Sequence, residues 1–225
     1  MSSSNGNAAS TMTGIAEIRR QVDALSIEEG QSLSAQERAL IKLGLAASVT
    51  SLNTQAIDSA IQEAFGTGAT PGQVQEVVSV VSGLGVHSLM VTATAILARA
   101  RQAGHDVDAP LTEFESAKWA ARVGDDPFWS TMEHELPGFL RALLRLSPAQ
   151  FDAFFDYCAV PWKSGFVRAR VKELLAMASD ATPAHLFMPG FRLHLANAIK
   201  LGAGRRAIEE CLTLAALAPP HVGVE

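Results

Sequence analysis

The sequence predicts an all-α protein built from two tandem copies of one helical unit, packed on each other as a pseudo-dimer. Three observations predict it. Apolar residues recur with a 3.6-residue period along most of the chain, while alternating β-branched runs bounded by turns are nearly absent. Helix starts carry recognisable capping signals. The two halves also align without a gap at an offset of 134 residues.

Taken in order, residues 1–14 are polar and rich in Ser, Asn and Gly, and read as a disordered tail with no signal-peptide pattern. Helices are expected at 13–29, 35–49, 54–67, 71–82 and 86–103, with Gly83 and Gly85 separating the last two. Ser34-Ala-Gln-Glu37 and Thr70-Pro-Gly-Gln73 are capping boxes, the second with Pro71 at the first helical position. Residues 15–104 form the first unit and 105–112 a polar linker. The second unit, 113–225, carries helices near 113–122, 127–145 (interrupted at Pro137), 148–158, 166–181, 190–201 and 205–217. Thr112-Glu-Phe-Glu115 and Ser147-Pro-Ala-Gln150 repeat the capping device.

The chain has 225 residues, 48% hydrophobic and 18% charged, enough for one large core or two small ones. No apolar run reads as long enough to span a bilayer, and the expected compartment is the cytoplasm. A net charge of −5 argues against nucleic acid, and Arg205–Arg206 is too short a basic cluster to change that. Cys158 and Cys211 form no C-x-x-C pair and no zinc spacing, and read as buried free thiols.

In the internal alignment Leu40 matches Leu174, Ala64 matches Ala198, Gly68-Ala69 match Gly202-Ala203 and Glu76 matches Glu210. The copies differ at titratable positions. Ala39 stands opposite Glu173, Ser51 opposite His185 and Ala60 opposite His194. Alanine is comfortable on a buried stripe, whereas histidine there needs a hydrogen-bond partner. That asymmetry places any chemistry in the second unit.

The run Lys172-Glu-Leu-Leu, then Ala184-His-Leu-Phe-Met-Pro-Gly-Phe-Arg-Leu-His194, Ala198 and Gly202-Ala203, resembles the carboxymuconolactone decarboxylase family. Copy one fits the same frame through Ala64, Gly68-Ala-Thr70 and Gly85-Val-His87. The resemblance implies an alkylhydroperoxidase D-like helical fold and a ring of six units, so that two-unit chains would assemble as a homotrimer. The family includes a decarboxylase of aromatic degradation and thiol peroxidases. The peroxidase thiol positions, seven and four residues before the histidine, are Phe187 and Gly190 here, and Asn53 and Ala56 in copy one, so that chemistry has no nucleophile. The counterpart of the helix at 86–103 is missing after His221, which would leave the second unit's pocket open or closed by a neighbouring subunit.

On this basis Glu173, His194 and His185 are the candidate catalytic residues, the first two matching the family's acid–base positions. A histidine poised near neutrality and oriented by a carboxylate suits protonation of the carbanion left by CO2 loss. Trp162, Arg192 and His221 are candidate substrate contacts, with Lys163 or Arg192 holding a substrate carboxylate. His87 and His221, matched between the copies, also suit helix-end hydrogen bonds, and His185 suits a cap. His105 and His134 read as surface residues, and Phe151, Phe154, Phe155 and Tyr157 as core. The function implied is a decarboxylase or lyase acting on a small carboxylic acid without cofactor or metal. The alternatives are a non-catalytic oligomeric relative and a metal-assisted enzyme. Glu173, His185, His194 and His221 match no ligand spacing. A cleft joining Glu173, His185 and His194 favours an enzyme; solid packing favours the non-catalytic relative.

Overall fold

The structure is a computed structural model and describes residues 14–224. Apart from Gly14, the tail expected at 1–14 lies outside the described residues, which are helical with no strand. Helices α1 (Ile15–Asp23), α2 (Ala35–Ala47), α3 (Thr54–Gly66) and α4 (Pro71–Ser82) come first, then a 3-10 turn (Gly83–Val86) and α5 (His87–Gln102). Next are α6 (Glu113–Arg122), α7 (Pro127–Glu135), α8 (Phe139–Leu146), α9 (Pro148–Lys163), α10 (Ala169–Asp180), α11 (Met188–Lys200) and α12 (Arg205–Ala216).

Local chemistry sets most of these boundaries. Ser34, Thr70 and Thr112 close complete capping boxes with Glu37, Gln73 and Glu115. Ser147 caps the backbone N–H of Gln150, but Gln150 does not reach back, so this start is half a box. The first helix stops at Asp23, short of the expected 29. The chain beyond it runs irregularly to meet α12: Arg205 and Arg206 donate backbone N–H groups to the carbonyls of Glu28 and Glu29. Gly30 sits there at φ +64, with the backbone of Gly204 where a side chain would stand.

Helices α2, α3 and α4 recur as α10, α11 and α12, their bounds matching to within one residue at the offset of 134. The unusual backbone recurs too. Leu52 (φ 40) pairs with Leu186 (φ 47), and Gly68 (φ 85) with Gly202 (φ 84). A left-handed leucine costs on the order of 1–3 kcal/mol. Its presence in both units makes it a feature of the fold, not of one site.

The two units exchange contacts reciprocally. Helix α10 packs on α4 and α2 on α12; α9 lies against α4 and α1 against α12. Lys172 on α10 pairs with Glu76 on α4 at 2.5 Å, and its counterpart Arg38 on α2 pairs with Glu210 on α12 at 2.5 Å. Contacts of i with j, and of their equivalents in reverse, are the mark of a twofold interface. One core, holding Leu40, Leu43, Leu174 and Leu212, draws on both units. Helices α5 to α8 fall outside the matched ranges; with α9 they build a second core around Phe139, Leu144, Phe151 and Phe154.

The expectation that no apolar run is long enough to span a bilayer is overturned in length and composition. Residues Pro71–Gln102 form a single continuous helical stretch, long and apolar enough by itself to cross a membrane. Gly83 and Gly85 separate α4 from α5 as expected, but through a 3-10 turn that keeps the stretch helical.

Candidate active site

Two buried or half-buried clusters lie between α10, α11 and the segments that cover them. Helix α10 presents Glu173 and, two turns later, Asp180. Helix α11 presents His194 and Asn197 across from them. The Nδ1–H of His194 donates to Glu173 Oε2 at 2.6 Å, and Asn197 Nδ2 donates to Oε1 at 3.3 Å. Burial opposes the charged form of His194, but the hydrogen bond and charge of Glu173, aided by Asp180, outweigh it and hold the imidazole above its ordinary range.

The pair opens on a cavity of about 740 Å³. Met90, Met132, Trp129, Phe154, Phe155 and Leu193 make its wall largely apolar. Lys163 and Trp162 stand on the same wall. Trp162 therefore serves the pocket of its own chain. Lys172, donating to the carbonyls of Pro161 and Ser164 and lying 5.5 Å from the Trp162 ring centroid, fixes the end of α9 that carries it. The cover expected to be missing comes from within the chain: the 3-10 turn, the start of α5, and helices α7 and α9 close over the site.

His185 lies beside this cavity instead of on its wall. Its Nε2 is 2.8 Å from Nδ1 of His87, which does line the cavity and stacks on Phe187 at 4.0 Å. Asp180 Oδ1 lies 3.7 Å from His87 and 3.6 Å from His185. Burial, then the charges of His185 and His194, push His87 down to about 3, and burial lowers His185 as well. Burial raises Asp180 to about 7, against the opposing pull of His194.

Two expected substrate contacts are not in the site. Arg192 points to the surface and pairs with Glu135 at 2.7 Å. His221 is exposed, in the segment that covers the first unit. There Ser51 and Asn53 donate to the carbonyls of Pro219 and Pro220. This segment closes a smaller cleft of about 300 Å³ lined by Ala46, Ala56 and Ala60, the counterparts of Asp180, Gly190 and His194. The repeat relates the two positions: His87 lines the titratable site, while the segment just before His221 covers its alanine-lined twin.

Sequence reasoning passed over Asp180 and treated His87 as structural. The alignment held the signal for Asp180, since Ala46 stands opposite it just as Ala39 stands opposite Glu173. His87 had no such signal, because its partner in the repeat is also histidine. His105 and His134 are exposed as expected. Phe151, Phe154 and Phe155 are core, while Tyr157 is exposed and donates to Ser82. Cys211 is buried, and Cys158 is half-buried on the cavity wall, where burial pushes its thiol up to about 11. Neither is an activated nucleophile.

Fold and site together define an all-helical protein of the alkylhydroperoxidase D-like type, with a carboxylate–imidazole pair in place of a thiol pair. No family model and no curated protein matches the sequence. A solved structure that it resembles is that of a proposed gamma-carboxymuconolactone decarboxylase subunit from Burkholderia xenovorans. The two are 28% identical at a TM-score of 0.72, over 90% of this chain and 76% of that one. That likeness, over most of both chains, supports a carboxymuconolactone decarboxylase-like fold for this chain.

Proposed function

We propose that this chain is a small-molecule lyase of decarboxylase type, in which His194 carries the proton and Glu173 orients and charges it. The observation that supports this reading is the 2.6 Å Glu173–His194 contact opening on a cavity large enough for a small organic acid. A site packed solid would have favoured a non-catalytic relative.

In the reaction the substrate's carboxylate leaves as CO2, and the electrons of the broken C–C bond pass into the conjugated carbonyl system. With Nδ1 committed to Glu173, the free Nε2–H of the imidazolium protonates the resulting carbanion. The neutral imidazole then regains its proton from water. Lys163 on the wall holds a second acidic group, and Trp162 and Phe155 flank the apolar body. Arg192, engaged by Glu135, takes no part. The same reading carries a homotrimeric assembly and a cytoplasmic location, the latter in keeping with two free cysteines.

The test is CO2 release by the full chain from a panel of lactone acids derived from aromatic ring cleavage. Wild type should release CO2, and His194→Ala should lower kcat by about 10²-fold or more. Equal rates in the two proteins would remove His194 from the mechanism.

A further inference from the structure

We propose that His87, Asp180 and His185 form a binding site for a divalent first-row transition metal, set in the cavity wall beside the Glu173–His194 pair. The site is independent of the reaction proposed above, since it stands on its own donor set.

Geometry is the first support. His87 Nδ1, His185 Nε2 and Asp180 Oδ1 are separated by 2.8, 3.7 and 3.6 Å. The point equidistant from all three lies about 2.0 Å from each, within the range of zinc–imidazole and zinc–carboxylate bonds. Three oxygen- or nitrogen-bearing groups from two units of the chain thus converge on one position: His87 from the cover of the site, Asp180 from the end of α10, and His185 from the turn before α11.

The second support is the state of Asp180. Its side chain is 2% exposed, and neither carboxylate oxygen has a hydrogen-bond partner. A buried carboxylate that accepts no hydrogen bond is disfavoured, even with the charge of His194 nearby, and a bound cation supplies the direct partner it lacks. The fold itself does not need the group, because Ala46 fills the matched place in the first unit. Space has nonetheless been cleared for it. A Cβ on Gly190 would overlap Asp180 Oδ2, so a glycine at this point of α11 keeps the carboxylate seated.

Donor chemistry narrows the ligand. Two imidazoles and one carboxylate suit Zn(II), Fe(II), Mn(II), Co(II) or Ni(II), and are a poor match for the all-oxygen preference of Ca(II) and Mg(II). His87 and Asp180 both line the cavity, so the open coordination positions would face it and accept water or a substrate oxygen. The competing account is a protein-only hydrogen bond between the two imidazoles. That bond occupies one proton and leaves both oxygens of Asp180 without a hydrogen bond.

The experiment uses the full chain, stripped with a chelator and titrated with Co(II) and Zn(II) by calorimetry and visible absorption. One equivalent should bind, with Co(II) developing d–d bands. Asp180→Asn and His185→Asn should each weaken binding by at least about tenfold, whereas His194→Ala should keep the full stoichiometry. Circular dichroism identifies any variant that fails to fold, and the other ligand variant then carries the test. Absence of binding by wild type at millimolar metal would overturn the proposal. So would binding that the folded ligand variants retain undiminished.

Discussion

At the scale of single residues, the site turns on how burial and charge divide the titratable groups. Glu173 favours the charged form of His194; burial disfavours the charged forms of His87 and His185; Asp180 is left without a donor. The sign for His194 follows from its raised pKa. Its charged form is favoured in the folded protein, so the pair's stabilisation is full below the ordinary value of 6.5 and is lost as pH rises through the folded value. If the imidazolium is the acid, kcat/KM should fall on the alkaline side through that same elevated value. Facing His194 are Glu173 and Asp180, which raise it, and His87 beyond. Glu173→Gln should therefore move the alkaline limb to lower pH, and a limb that stays put would separate it from His194. For stability, His194→Ala alone leaves Glu173 short of its main partner and should cost roughly 1–3 kcal/mol. Glu173→Ala with His194→Ala reproduces the Ala39 and Ala60 arrangement of the first unit, both buried there. Denaturant unfolding should show the double variant recovering part of that loss, a coupling that additive effects would not produce.

At the scale of elements, most of the architecture was legible because its signals are local. The capping boxes and the 3.6-residue stripes placed the helices of both units within a few residues, and the offset of 134 survives as matched helix bounds. What could not be read depends on tertiary contacts. The end of α1 is set by the backbone bonds of residues 28–29 to α12. The continuation of α9 through Pro161 to Lys163 is held by Lys172. The reach of His87 into the other unit's site is likewise invisible in a list of helices. Lys172 shows how an element contact bears on function. It is a buried cation that pairs with Glu76 across the units and anchors the corner carrying Trp162. Lys172→Met fills similar volume but strands Glu76, and should destabilise the fold by about 3–5 kcal/mol. Adding Glu76→Gln should restore much of it. Equal melting curves for Lys172→Met and wild type would show that the pair does not hold the units together.

At the scale of the whole molecule, the continuous helix Pro71–Gln102 raises the question of what covers its apolar side. Its first half is committed to protein, for α4 packs on α2 and α10 and carries Glu76 into a buried ion pair. Only α5 remains, and its 16 residues fall short of the roughly 20 a membrane span requires. Helix α5 nonetheless exposes Val91 at 60% and Ile96 at 49%, five residues and so about 140° apart around its axis. A single such residue on a surface needs no explanation, but two on a helix that also covers the candidate site point to a subunit contact across its exposed arc. This is the surface on which a trimer of two-unit chains would bury α5 of each copy. Light scattering on the purified chain should then give about three times 23.8 kDa. Val91→Lys together with Ile96→Lys should shift that mass towards the single chain, while helix content by circular dichroism stays near wild type because neither side chain belongs to a core. A wild-type mass of one chain, or a variant whose assembly is undisturbed, would move the subunit contact away from α5 or abolish it.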